Sequence, residues 1–471
     1  MNKQSVIKNI IRVALSNIVA LMAGVGVGLL LPKLLEVEDY GWYKTFTLYA
    51  NYLGFAGVGL IDGVVLKYGG MDYNALERPL FRSYFWWYML INSFFAALLL
   101  ILSIFSQSEY KFVLVTLAVY LLIGNNTGYF QQLSQITQRF KEFSRRKILS
   151  SFFKILNVAC LFVWISLGHN SSYKVYLLLF LSTEFVLTVW YLYTYRDLIV
   201  GKKIPLSETR LVALDLCKNG FPLLFANLCA SLILSLDRQF VRLLFDTQTY
   251  AKYAFAYNML SLVTVATSAI STVLYPTLKR INKDEMKQHY GNLVGVIMVI
   301  VSCAITVYFP LCGFVTWFLP KYIESLVIFR IVFPGLIISS AITVVMHNYY
   351  KSEGRSSLYF IKSVVVLAVS AIANGIAYVL FHNTVSISIA SIVTMIFWYL
   401  YVERYFVKEY EYHGLRNFTY IICVMILFYS VTSLSNLWIS GILYFVCCLG
   451  LTILLENNTI ALIKQTVTHH I

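Results

Sequence analysis

The chain has 471 residues, of which 59% are hydrophobic and only 13% charged, with a formal net charge of +15. Soluble domains carry roughly 25% charged residues, so too few charges are present to clothe a water-facing surface of this size, and a large soluble enzyme is excluded. The composition calls for an all-α polytopic membrane protein, because a chain in hydrocarbon must satisfy its backbone polar groups internally.

Apolar runs fall near 8–31, 42–66, 80–105, 112–136, 148–168, 174–195, 219–244, 253–277, 290–318, 325–349, 357–381, 384–402, 418–435 and 438–455. Each is long enough to cross about 30 Å of hydrocarbon, which predicts about fourteen transmembrane helices. The first run follows Lys3, Lys8 and Arg12, but it is too long for a signal-peptide core and no A-x-A site follows it. Its Gly24-Val25-Gly26-Val27-Gly28 stretch lies inside a span and is no dinucleotide loop. Ala20, Gly24 and Gly28 instead predict a small-residue packing face. Phe85-Trp86-Trp87-Tyr88 and Trp190-Tyr191 suit the headgroup zone. Pro334 predicts a break or kink in the tenth run.

Most of the 37 basic residues sit at the N-terminus, in the even-numbered connections and in the tail. The fourth connection, for example, holds Arg139, Lys141, Arg145, Arg146 and Lys147. Positive charge stays inside, so both termini and the even connections are expected to be cytoplasmic. Anionic lipid facing these loops explains the net charge without nucleic acid. The eight cysteines form no C-x-x-C pair and the seven histidines no H-x-x-x-H spacing. They read as packing residues, with no metal site expected.

The longest connection, Arg196 to Lys218, predicts the division of the chain: a six-helix bundle over 1–198, a cytoplasmic linker over 199–218, a second six-helix bundle over 219–405, and two extra helices with a cytoplasmic tail over 406–471. An internal echo supports two halves. The stretch from Leu34 to Tyr43 matches Leu244 to Tyr253 at an offset of 210, and His169-Asn170-Ser171 is echoed by His382-Asn383-Thr384. Six helices per half give both halves the same orientation, an arrangement suited to alternating access.

Two segments carry a family resemblance. The first is Leu30-Leu31-Pro32-Lys33-Leu34-Leu35 with Asp39-Tyr40-Gly41-Trp42-Tyr43 and Leu60 to Tyr68. The second is Asp237-Arg238-Gln239-Phe240-Val241 with Tyr250-Ala251-Lys252-Tyr253 and Ala256-Tyr257, where Ala251 replaces the family's usual glycine. In these the chain resembles the bacterial polysaccharide or O-antigen flippases of the multidrug/oligosaccharidyl-lipid/polysaccharide exporter superfamily. The resemblance implies a non-enzymatic transporter of the bacterial inner membrane. Its cargo would be undecaprenyl-pyrophosphate-linked oligosaccharide, moved to the outer leaflet for O-antigen, capsule or exopolysaccharide assembly. It implies no cofactor beyond Na+ or H+ coupling, and the polysaccharide polymerase and chain-length regulator as partners. The alternatives are a drug exporter of the same superfamily, or a membrane-embedded polymerase or glycosyltransferase. Against the enzyme stand short outer connections and a single acidic cluster, Glu36, Glu38 and Asp39, inside the repeated motif.

Charges inside spans are costly and point to function. Lys8 and Arg12 are four apart and share a helix face. Lys154 and Lys362 occupy corresponding places in the two halves, and Arg238 and Arg242 lie one turn apart in the seventh run. These six are the candidate ligands for an anionic headgroup, each weighed against simple snorkelling to the interface. For Asp237 with Arg238 the structural alternative is an intramembrane ion pair. Glu184, mid-span and without a basic residue one turn away, is the leading candidate for ion coupling. Asp237, Asp62 and Arg330 are the further coupling or gating candidates.

Overall fold

A computed structural model describes residues 3–278, 282–412 and 414–456, with the side chains of 3–11, 14, 262–270, 272–273, 275–277 and 356 left out. The regular structure among the described residues is helical throughout. The chain divides into two compact units, Met1–Leu228 and Cys229–Ile471.

The first unit contains α1 (Lys3–Leu34), α2 (Val37–Ala50), α3 (Leu60–Tyr68), α4 (Arg78–Ile104), α5 (Ser108–Ile136), α6 (Phe140–Ser166), α7 (Tyr173–Thr194) and most of α8 (Leu206–Ile233). α1 packs along α6, and α5 packs between α4 and α7. The second predicted span is broken, with α2 and α3 meeting at 59°. Val58 and Gly59 make the break in left-handed backbone, at φ 49° and 80°. Glycine then serves a second purpose. A β-carbon at Gly63 would lie 2.1 Å from the Leu216 carbonyl oxygen, and one at Gly220 would lie 2.0 Å from that of Gly59. Only hydrogen fits there, so α3 and α8 touch backbone to backbone.

The connection read as a linker is fastened along α4. Tyr73 and Arg78 donate to the Asp197 carboxylate at 2.7 and 3.2 Å. Arg82 donates to the carbonyls of Asp197 and Lys202 at 2.9 and 2.7 Å. Ser83 donates to Ile204 O at 2.7 Å, and Trp87 Nε1 to Thr209 Oγ1 at 3.1 Å. Together with the glycine contact, this strap holds α8 to the first unit, which ends at Leu228, so the two units part within that helix. On the small-residue face predicted on α1, Gly24 is exposed and Gly28 is buried. A β-carbon at Gly24 would meet nothing within 4 Å, whereas one at Gly26 would sit 3.2 Å from Ile155 of α6.

The second unit contains α9 (Leu236–Leu244), α10 (Thr247–Leu278), α11 (Lys283–Ala304), α12 (Tyr308–Phe318), α13 (Ser325–Val332), α14 (Gly335–Ser340), α15 (His347–Ser352), α16 (Ser356–Phe381), α17 (Thr384–Tyr410), α18 (Leu415–Val431) and α19 (Leu437–Leu455). Pro334, which cannot donate to the helix ladder, opens a 49° bend between α13 and the helix that follows. A π-helical turn, Ala341–Met346, continues that helix. Side-chain caps start several helices. Asp246 accepts the amides of Gln248 and Thr249 ahead of α10, and Asn383 accepts that of Ser386 at the start of α17. The hydrogen bonds from Thr249 hold the Asp246 carboxyl below its usual range. The repeat noted in the sequence marks equivalent joints. α1 ends at Leu34 and α2 begins at Val37, while α9 ends at Leu244 and α10 begins at Thr247.

Most predicted apolar runs fall on one helix or a bent pair, while that near 219–244 covers parts of α8 and α9, and the count of fourteen spans is not confirmed. Among the described residues ten helices are long and apolar enough to cross a membrane, or twelve if each bent pair is one span. Kinked spans leave short pieces, and α18 has only 17 residues.

Gly63→Ala is expected to cost about 1–3 kcal/mol by overpacking the α3–α8 contact, read as a lower melting temperature of the detergent-purified protein. Gly24→Ala is expected to stay within about 0.5 kcal/mol of the parent. Asp246→Ala is expected to cost about 1 kcal/mol. The stability that Asp246 contributes is present above the unfolded carboxyl's pKa and is lost as pH falls through the lower folded one.

Candidate functional site

In the first unit, polar side chains link α1, α6 and α7. Lys147 and Lys154 are seven apart on α6, two turns along one face. Lys147 Nζ donates to Asn17 Oδ1 of α1 at 2.5 Å. Asn157 Nδ2 donates to Thr183 Oγ1 of α7 at 3.0 Å, which sets the register of the two helices. That register brings the half-buried Lys154 within electrostatic reach of Glu184, whose exposure is only 9%. Tyr120 of α5 is within electrostatic reach of the same carboxyl. Thr188, one turn beyond, bonds back to Glu184 O at 2.9 Å and shares a hydrogen bond with Thr127 of α5 at 2.9 Å. Glu184 thus has a cationic neighbour supplied by another helix, which no reading of its own helix could reveal. Arg12 is half-buried on α1. Lys8 lies on α1 as well, but its side chain is outside the described residues. Asp62 sits half-buried in the first turn of α3, within electrostatic reach of Tyr88.

In the second unit, Asp237 is 3% exposed and anchors a network of neutral donors. Its carboxylate accepts from Tyr253 at 2.8 Å and from Tyr257, both on α10, and from the Arg238 amide at 2.8 Å. Ser388 of α17 donates to the Tyr253 hydroxyl at 3.3 Å. Among the described ion pairs none involves Asp237, so tyrosines take the place of the expected arginine partner. The Arg238 guanidinium instead lies 4.8 Å from the Tyr257 ring centre and donates to Leu234 O at 2.9 Å. Arg242 is buried rather than turned to headgroups, with its guanidinium 5.6 Å from the Tyr250 ring centre.

Two other candidates act as braces. Lys362 Nζ donates to Tyr401 O at 2.6 Å and rides 4.8 Å over that tyrosine's ring, tying α16 to α17. Arg330 donates to Thr432 Oγ1 at 2.9 Å and to Tyr429 O at 3.1 Å, so it caps the carbonyl end of α18, where a cation is favoured. Two buried groups were not singled out from the sequence. Arg146 has a guanidinium 3.8 Å from the Tyr191 ring centre and 3.7 Å from Glu142, and it donates to Trp190 O and Thr194 at the end of α7. The available signal was Glu142 one turn before it. Glu403, 3% exposed, accepts from Tyr399 at 2.8 Å one turn earlier on α17.

A family described as polysaccharide biosynthesis protein matches residues 30–320. No curated protein matches the chain. Among solved structures, the lipid II flippase MurJ in an inward closed conformation is similar at a TM-score of 0.68 and 15% identity, over 96% of this chain and 100% of that one. An outward-facing multidrug resistance MATE family transporter of the MOP superfamily is similar at 0.54 and 13%, over 85% and 96%. A MOP superfamily transporter from Pyrococcus furiosus is similar at 0.53 and 13%, over 86% and 97%. At such identities the likeness is one of fold.

Asp237→Ala strips the acceptor from two tyrosine hydroxyls. It is expected to cost about 2–3 kcal/mol, measured by thermal melting, with Asp237→Asn costing less because an amide oxygen still accepts.

Proposed function

This chain belongs to the polysaccharide biosynthesis protein family, and from that membership we propose that it is a flippase for undecaprenyl-pyrophosphate-linked oligosaccharide repeat units. It carries them from the inner to the outer leaflet of the bacterial cytoplasmic membrane by alternating access, with both termini cytoplasmic, for surface polysaccharide assembly. The single observation that carries the reading is the family match, joined to a fold like that of MurJ over nearly the whole chain. The positions of Lys and Arg support the orientation.

A flippase must give a charged headgroup a polar route while the lipid tail stays in hydrocarbon. Arg12, Lys147 and Lys154 are the cations of the first unit best suited to a diphosphate, because none is committed to capping a helix end. Lys8 belongs with them on α1 by sequence position. Lys362 and Arg330 are engaged with carbonyls and serve mainly to hold helices together. Glu184 and Asp237 are the carboxyls placed to couple transport to an ion, since each is buried among uncharged donors or beside a single cation. Export of a small molecule is the second reading, favoured by the fold shared with MATE transporters.

Deleting the gene is expected to abolish surface polymer and to accumulate single lipid-linked repeat units on the inner leaflet, seen by extracting undecaprenyl-linked intermediates. Wild-type protein restores the polymer, whereas Arg12→Ala and Lys154→Ala do not. Unchanged surface glycan and lipid-linked pools, in a cell with no second flippase, would reject this reading in favour of small-molecule export.

A further inference from the structure

The two bent spans treat their breaks differently. Around Pro334 the chain is buried from Val332 through Ile338. Between α2 and α3 it is open: Asn51 and Gly54 are exposed, and a β-carbon at Gly54 would meet nothing within 4 Å. Asn125 of α5 ties this break to Asn92 of α4, donating from Nδ2 to Leu53 O at 2.9 Å and to Asn92 Oδ1 at 2.6 Å. Asn92 stands about 21 Å from one end of α4 and about 18 Å from the other, so the break lies at membrane depth. Non-helical backbone persists there only where protein buries it or water reaches it, and Asn51 and Gly54 have no protein cover. The groups around the break are polar and uncharged. Asn92 Nδ2 donates to Tyr88 O at 2.7 Å, and Tyr88 Oη to Asn125 O at 3.4 Å. Beside Asn125, Asn126 is 6% exposed and its Oδ1 has no hydrogen-bond partner among the described residues. A buried amide oxygen in that state calls for water or a ligand.

We propose that the break between α2 and α3 faces water and forms, with Asn51 and Asn125, a binding site for neutral sugar rings. This deepens the flippase reading and rests on it for the lipid that bears the sugar. The chemistry of the lining selects the ligand. An amide donates and accepts at once, as a sugar hydroxyl does, whereas a phosphate only accepts. The bonds to Leu53 O and Asn92 fix the amide plane of Asn125 and leave its Oδ1 to accept a hydroxyl. Asn51 offers a donor and an acceptor on the open side. Gly54 removes the side chain that would otherwise stand in the space a sugar ring needs. Water satisfies the break when the site is empty, and sugar hydroxyls take over those hydrogen bonds when it is filled. The broken backbone is thereby solvated in both states, and no charge has to be moved through hydrocarbon to load or release the ring.

The test places Asn51→Cys and Gly54→Cys, one at a time, in the full chain in nanodiscs. Each is treated with a charged, membrane-impermeant methanethiosulfonate, and the modified position is read by peptide mass spectrometry, so the eight native cysteines do not interfere. Both thiols are expected to react in the folded protein. Undecaprenyl pyrophosphate carrying N-acetylglucosamine is expected to slow the reaction several-fold, and bare undecaprenyl pyrophosphate to leave it unchanged. With shielding of Gly54→Cys as the binding signal, Asn51→Ala and Asn125→Ala are each expected to weaken binding of the glycosylated lipid about five-fold. Asn51→Ala alters an exposed side chain and leaves the Asn125 network intact, so it reports even if Asn125→Ala fails to fold. Thiols that react only after denaturation lie under lipid and overturn the proposal. Equal shielding by the bare lipid overturns it too, as does a glycosylated lipid that shields neither position. A protein that flips lipid-linked units in cells without such shielding loses the sugar site alone. Shielding in a protein whose deletion leaves the glycan pools unchanged keeps the site and rejects the flippase reading.

Discussion

Hydrocarbon offers no hydrogen bonds, and the polar groups in this chain are arranged around that fact. An unsatisfied polar group in lipid costs several kcal/mol, so several buried charges are met by carbonyls, phenols or aromatic faces drawn from nearby helices. Asp237 is surrounded by tyrosine hydroxyls, Arg330 by the open carbonyl end of α18, and Arg146 by an aromatic face and the end of α7. Tyrosine is well suited to this work, since its ring is at home among apolar side chains and its hydroxyl supplies one donor.

The same constraint sorts the cations. A guanidinium that caps a helix end or lies on a ring is spent on holding helices together, and removing it would leave carbonyls bare. Lys147 and Lys154 are different. One is held by a neutral amide and the other is attracted by a carboxyl without contact. In the flippase reading proposed above, these are the cations left to meet an anionic headgroup. The distinction between bracing cations and available ones rests on what each side chain touches, which spacing along the chain does not reveal.

Close backbone approach is the second device. Gly59, Gly63 and Gly220 let α3 and α8 meet without side chains between them, while Arg78, Arg82, Ser83 and Trp87 fasten the intervening connection to α4. The break between α2 and α3, which leaves Val58 and Gly59 in left-handed backbone, sets the angle at which α3 presents its glycines. A segment that reads as a polar linker is in this way part of a packed unit.

Hydropathy and charge by themselves determined that the chain is a helical membrane protein and roughly where each span lies, because the cost of placing charge in lipid is written residue by residue. They also pointed to the charged side chains that fall inside spans, and the joints repeated at an offset of 210 are visible in both sequence and helix ends. The number of unbroken spans, the point at which the units part, the close contact of α8 with α3, the tyrosine partners of Asp237 and the approach of Lys154 to Glu184 came only with the tertiary structure. The reason is that periodicity reports which face of one helix is apolar. It carries no information on the rotation and register of the neighbouring helix, and these decide which side chains meet.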